Sequence, residues 1–242
     1  MDLTTARIVD LTQPLGPSTA VWPGEIPVRL VTTATVGEDG WFARDLTTPE
    51  HAGTHVDAPA HITAGTATVD LLPPARLVRP VVMIDASAHV GDRPDAVVGA
   101  DVIRADESAR GRVASGDVVL VRTGWDRHLA DIERYVGTRR ARCPGIDAGA
   151  AELLVRRGVA GIGIDTMSVE RGADADLPVH RRTSAAGVWH LEGLVGLDGV
   201  PPRGAWIVVA PLRLVGGSGA PARVFALVPD AAPDGPDVLP GR

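Results

Sequence analysis

The stretch His51-Ala52-Gly53-Thr54-His55-Val56-Asp57-Ala58-Pro59-Ala60-His61 restricts the backbone more tightly than any other part of this chain. Gly53, the β-branched Thr54 and Val56, and Pro59 argue against a helix. In an extended chain of period two, His51, Gly53, His55, Asp57, Pro59 and His61 project from one face. A flat strand would nevertheless hold the Cα atoms of His51 and His55 ~13 Å apart. That is a long reach for ligands that must each come within about 2 Å of one ion. The spacing therefore predicts a bend at Gly53, the residue that permits one. Pro59 should end ladder pairing and turn the chain so that His61 re-enters the site.

Three of the seven histidines fall in this window, together with a carboxylate. Neutral imidazole plus carboxylate suits zinc and neighbouring divalent ions. The competing reading is a histidine-bearing strand and loop without metal, but a buried cluster of unliganded imidazoles is costly to satisfy.

Composition narrows the remaining chemistry. A chain of 242 residues that is 45% hydrophobic can bury a sizeable core, and one domain over 1–228 with a loosely held Pro/Asp/Gly-rich tail over 229–242 accounts for it. The net charge of −6 and the lack of a long basic run argue against a nucleic-acid partner. There is no lysine, which excludes P-loops, Schiff-base lysines and Ser-Lys dyads, and no asparagine, which excludes a Cys-His-Asn triad. Cys143 stands alone, so it reads as a quiet thiol rather than part of a disulfide framework or Cys-rich zinc cluster. Met1 to Val9 lacks a positive start followed by an apolar core, and no uncharged apolar run approaches ~20 residues. The expectation is a cytoplasmic protein that does not engage a membrane.

Strands are expected at Ala6 to Thr12, at Ile26 to Val36 paired with Trp41 to Thr48 around Gly37-Glu38-Asp39-Gly40, at Val81 to Asp85, Val118 to Arg122 and Val159 to Asp165. Further strands are expected at Val188 to Gly193, Trp206 to Leu214 and Val224 to Val228. Helices are expected at Gly99 to Ala109, Ala148 to Arg157 and Pro178 to Ala186. This alternation describes an α/β domain with a mixed sheet. The run Gly216-Gly217-Ser218-Gly219 reads as a wide hairpin connection, since no lysine or helix follows to make it a phosphate loop. His89 and His128 read as solvated.

One short loop rarely closes a metal site. His180, and Glu192 within the apolar run around Leu191 to Leu197, are the best later candidates, because an unpaired carboxylate there would be expensive to bury. His190 shares the parity of Glu192; it could face the site, fill space or touch a neighbouring subunit, and it stays outside the ligand set. Trp22, fixed in extended geometry by Pro23, could lid the core or wall a pocket.

The pattern His-x-Gly-Thr-His-x-Asp-x-Pro-x-His, with Trp22-Pro23-Gly24 upstream and His180 and Glu192 downstream, resembles the metal-dependent cyclase family that includes bacterial kynurenine formamidase and isatin hydrolase. The resemblance implies a swivelling β/β/α domain, assembled as a homodimer or homotetramer. It assigns His51, His55 and Asp57 to a first metal, with Asp57 bridging to a second held by His180 and with Glu192 touching one or both. The ions would be two Zn2+, with Mn2+ as the alternative. His61 would be the general acid/base and Trp22 a substrate wall. An amide replaces the last carboxylate in isatin hydrolase-like members, so Glu192 is the formamidase-like choice. The chain departs from the typical formamidase in its greater length, its Glu170 to Asp176 insertion and its aromatic content of only 3%.

The implied reaction is hydrolysis of a small-molecule amide C–N bond, in an aryl formamide such as N-formylkynurenine or a cyclic amide such as isatin, by a metal-activated hydroxide. Two alternatives stand beside it. One is a metal-dependent cyclase or dehydratase acting on a polyketide-like or other secondary metabolite; the other is a non-catalytic, metal-stabilised oligomer.

Overall fold

Residues 5–138 and 140–229 are described by a computed structural model; the expected tail beyond Pro229 lies outside them. Twelve strands run in chain order: β1 (Arg7–Asp10), β2 (Arg29–Ala34), β3 (Ala43–Thr47), β4 (His55–Asp57), β5 (Val78–Asp85), β6 (Val97–Val98), β7 (Val118–Arg122), β8 (Gly145–Ile146), β9 (Gly161–Ile164), β10 (Trp189–Glu192), β11 (Trp206–Pro211) and β12 (Gly219–Val228). Eight form one sheet ordered β1-β12-β11-β5-β7-β9-β10-β4, and β12 also pairs with β4, so the sheet closes on itself as a barrel. Within it β5, β7, β9 and β10 are parallel while β4, β11 and β12 are antiparallel to their neighbours. This is the expected mixed-sheet α/β domain.

In the central strand β7 the four residues before Arg122 are all apolar, for a reason its two faces show. Val118 and Leu120 join the cluster inside the barrel, whereas Val119 and Val121 join the cluster under the helices. Both faces are covered, so period-two alternation has no polar side to show. On β9 the two faces differ in size. A Cβ on Gly161 would lie 2.6 Å from the Trp189 ring, and one on Gly163 would lie 2.5 Å from Leu120. Ile162 and Ile164 fill the opposite face, beneath the helix Ala148–Arg157.

Most expected elements form, with differences set by local chemistry. The turn over 37–40 is a short helical turn, Val36–Asp39, ended by Gly40 at φ 79°. His89 lies in the helical turn Ser87–Val90 rather than in a loop, and His128 ends a 3-10 turn, half-buried against the Trp125 ring at 4.6 Å. Among the described residues no helix is long and apolar enough to cross a membrane.

The ends of β7 and β9 are locked by a buried carboxylate. Asp165 accepts from the amides of Thr123 and Gly124 and from the Thr123 hydroxyl. Burial wins over these donors and pushes its pKa up from 3.8 to about 6. A raised acid pKa stabilises the fold fully below the unfolded value and loses that contribution as pH climbs through the folded one. The melting-temperature gap between wild type and Asp165→Asn, measured on metal-free protein, should therefore be widest near pH 4 and shrink by pH 7, a change on the order of 2–3 kcal/mol. A gap independent of pH would refute this titration.

Candidate metal-binding and active site

The site grows from β4, which is laid between two partners. His190 and Glu192 of β10 stand opposite Asp57 and His55, and on the other side Gly219 and Pro221 of β12 stand opposite the same two residues. Val56 and Leu191, one step out of register, point into the barrel core. Period two therefore puts His55, Asp57, His190 and Glu192 on one buried face.

His51 reaches this face because the chain bends where expected. Gly53 has φ 60°, and the His51 and His55 rings come to 5.2 Å of one another, edge to face. Pro59 opens a 3-10 turn ending at His61, whose ring lies 4.1 Å from that of His51 and 6.0 Å from that of His180. His180 sits near the start of the helix Pro178–Ala185. The preceding Leu177, at φ 50°, is the non-glycine residue with positive φ among those described, a strained backbone of about 1 kcal/mol or more. The Glu170 carboxylate holds that turn by accepting the His180 amide at 2.8 Å.

Asp57 is the centre of the cluster. Its Oδ1 lies 2.6 Å from His51 Nδ1 and 3.2 Å from His55 Nε2, and its Oδ2 lies 3.2 Å from His180 Nε2. Glu192 spans the far side, 3.5 Å from His55 Nε2 and 3.4 Å from His180 Nε2, while Oε1 accepts the Val169 amide. The structure thus brings together His51, His55, Asp57, His180 and Glu192.

The outward edges of the imidazoles are anchored. His55 Nδ1 donates to the Gly53 carbonyl at 3.0 Å, leaving Nε2 to face the carboxylates. His190 Nε2 contacts the Thr183 hydroxyl at 2.7 Å, and since that hydroxyl donates to the Val179 carbonyl, the imidazole donates to it. His190 Nδ1 then faces Asp57 at 3.8 Å. Three of these buried ring nitrogens, His55 Nε2, His180 Nδ1 and His190 Nδ1, have no hydrogen-bond partner, nor has Glu170 Oε2.

Electrostatics reports the same concentration of negative charge. Burial favours neutral His55, yet Asp57 and Glu192 push its pKa up to about 9. His180 is raised well above its usual value against the same burial by Asp57, Glu170 and Glu192. Asp57 is held far below the carboxylate range, its burial outweighed by the surrounding histidines. His61 goes the other way: partial desolvation lowers it, helped by His51 and His180 and opposed by Asp57 and Glu192.

The cluster opens into a cavity of about 600 Å³ whose lining includes Trp22, Ile62, Tyr135, Met167 and Leu177. Trp22 stands at its rim, 37% exposed, so it lines the pocket rather than lidding the core. Residues 170–175 of the insertion also line it, with Glu170 itself buried behind His180. Cys143 is buried and its pKa is pushed up to about 12, as suits a quiet thiol. Sequence reasoning missed Glu170, and also Glu50 and Ser218, whose side chains meet at 2.6 Å with Ser218 Oγ 2.9 Å from His51 Nε2. The signal for Glu170 was a carboxylate beside Val169 soon after a strand end; for Glu50 and Ser218 no local signal exists.

A family profile described as Cyclase matches residues 9–171. An isatin hydrolase of Roseibium aggregatum is 31% identical, over 93% of this chain and 93% of that protein. A kynurenine formamidase of Salinibacter ruber is 32% identical, over 89% of this chain and 95% of that one. Among solved structures, an isatin hydrolase bound to the product analogue thioisatinate superposes with a TM-score of 0.88 at 29% identity, covering 94% of each chain.

Proposed function

The chain belongs to the metal-dependent cyclase family, and from that premise we propose that it is a metal-dependent hydrolase of small-molecule amide C–N bonds, in an aryl formamide or a cyclic amide. One observation carries this reading: buried His55 Nε2, without a hydrogen-bond partner, lies 3.2 Å from Asp57 and 3.5 Å from Glu192, while His180 Nε2 lies 3.2 Å and the unpartnered His190 Nδ1 3.8 Å from Asp57. Left alone, such a cluster must hold protons to balance itself, which is why burial fails to lower His55 and His180. A divalent cation satisfies the same field.

The donor set fits such ions. Asp57, His180, His190 and Glu192 lie close enough to hold one ion, and His51, Asp57 and His61 lie close enough to hold a second; the family pattern puts His55, 3.2 Å from Asp57 Oδ1, in the second group in place of His61. Two Zn2+ ions suit this imidazole and carboxylate set, with Mn2+ as the alternative. When bound, they supply Lewis-acid polarisation of a carbonyl and acidification of water.

The residues around them do the rest. His61 is exposed at the pocket and kept neutral at pH 7 by its lowered pKa, so it can take a proton from water at one ring nitrogen. As imidazolium it then protonates the departing nitrogen. Trp22, Met167 and Leu177 offer apolar surface that packs a flat substrate and excludes bulk water. The relatives matched along nearly the whole chain are named as hydrolases, which favours hydrolysis over cyclisation. The test is absorbance-followed turnover of N-formylkynurenine and isatin. Activity on one of them should vanish with a chelator and return with Zn2+ or Mn2+; activity on neither, with metal bound, would reject the reading.

A homodimer or homotetramer is supported by the β2–β3 hairpin. A lone two-stranded hairpin is marginal in water, and this one exposes Val31, Trp41, Phe42 and Leu46 at 59%, 60%, 58% and 47%. A second copy of the chain would cover them. The double substitution Trp41→Ser and Phe42→Ser should reduce the mass measured by light scattering to that of a smaller assembly; an unchanged mass places the interface elsewhere.

A further inference from the structure

The glycine-rich run before β12 forms part of the bed beneath His51. Resting on the metal-hydrolase reading above and deepening it, we propose that Ser218 and Glu50 are positioning residues that fix the His51 proton on Nε2, so that Nδ1 is presented to the cation.

The argument is one of hydrogen-bond direction. Glu50 Oε2 accepts the backbone amides of Ser218 at 2.8 Å and Gly219 at 3.2 Å. The same oxygen lies 2.6 Å from the Ser218 hydroxyl, which therefore donates to it. A hydroxyl has one proton, so Ser218 Oγ can offer only lone pairs to His51 Nε2 at 2.9 Å. Nε2 must donate. A neutral imidazole carries a single proton, which leaves Nδ1 with a lone pair. It is Nδ1 that stands 2.6 Å from Asp57 Oδ1, a distance that is repulsive unless a positive centre is shared between them.

The ring is also boxed in. A Cβ on Gly219 would lie 2.5 Å from His51 Cε1, so glycine is required for the imidazole to lie against β12. The Ser218 carbonyl accepts the Ala58 amide at 2.8 Å, which ties the loop to the segment carrying Asp57. A carboxylate at the outer end of such a chain also makes the inner nitrogen a better ligand.

The experiment uses the full-length protein loaded with Zn2+ and labelled with 15N-histidine, His51 being assigned by its loss in His51→Gln. Wild type should show a protonated Nε2 and an unprotonated Nδ1 for His51. In competition with a chromophoric chelator, Ser218→Ala should bind Zn2+ about 10–100-fold more weakly. Ser218→Thr, which keeps the hydroxyl, should lose little, and Glu50→Gln, whose amide oxygen can still accept but carries no charge, should fall between Ser218→Thr and Ser218→Ala. A protonated His51 Nδ1 in Zn2+-loaded wild type would overturn the proposal whatever the variants do. So would wild-type affinity in Ser218→Ala, or equal losses in the Ala and Thr variants that track their melting temperatures. Wild type that takes up no Zn2+ or Mn2+ would instead remove the metal reading itself.

Discussion

Asp57→Asn is expected to abolish retention of the proposed divalent metal and to lower kcat/KM by about 10³-fold or more, since the several kcal/mol of Lewis-acid stabilisation goes with it. The two Asp57 oxygens touch His51, His55 and His180 at 2.6, 3.2 and 3.2 Å, so this side chain reaches histidines from both halves of the site more closely than Glu192 does at 3.4 and 3.5 Å. Asn has the same shape, and Gly219 and His190 can keep their ladder positions opposite it. Its amide group, however, is neutral and turns a donor toward imidazoles that need an acceptor or a cation. Metal analysis after gel filtration, alongside turnover, checks the outcome. Full metal content with full activity would mean that the ions are held elsewhere.

His61→Ala should have the second-largest effect while separating catalysis from metal binding. Removal of a positioned acid/base costs about 10²–10⁴-fold in rate. His61 is exposed and comes close enough to His51 and Asp57 to share an ion with them, but His55 stands 3.2 Å from the same carboxylate and can take that place, so metal content and melting temperature should hold. The pH profile gives an independent check. In the proposed role the neutral ring is the base, and its pKa is lowered by desolvation and by His51 and His180. Bound cations push in the same direction. The acid limb of kcat/KM in wild type should therefore fall below the ordinary histidine value of about 6.5 and disappear in the variant. An unchanged rate would remove His61 from the proton-transfer role; lost metal would make it a ligand.

These expectations differ in how early they became legible. The bend at Gly53, the break at Pro59 and the shared face of His55 and Asp57 follow from residue type and strand period, and the structure shows all three. His180 and Glu192 could be suspected because buried polar groups demand partners. His190 could not be placed: parity put it beside Glu192, but only the β10–β4 register set it opposite Asp57. Glu170 belongs to an insertion before His180, yet its carboxylate caps the His180 turn.

Residue identity sets the chemistry of the ligands and the local backbone that presents them, because glycine, proline and β-branched residues act within a few positions of themselves. Tertiary structure alone decided which distant groups meet. Glu50 and Ser218 are joined, and β12 lies against β4, only because the barrel closes there, with Val56, Leu191 and Ala220 buried together in its core. Apolar burial drives that closure and has no direction along the chain, so no short stretch of residues can encode it.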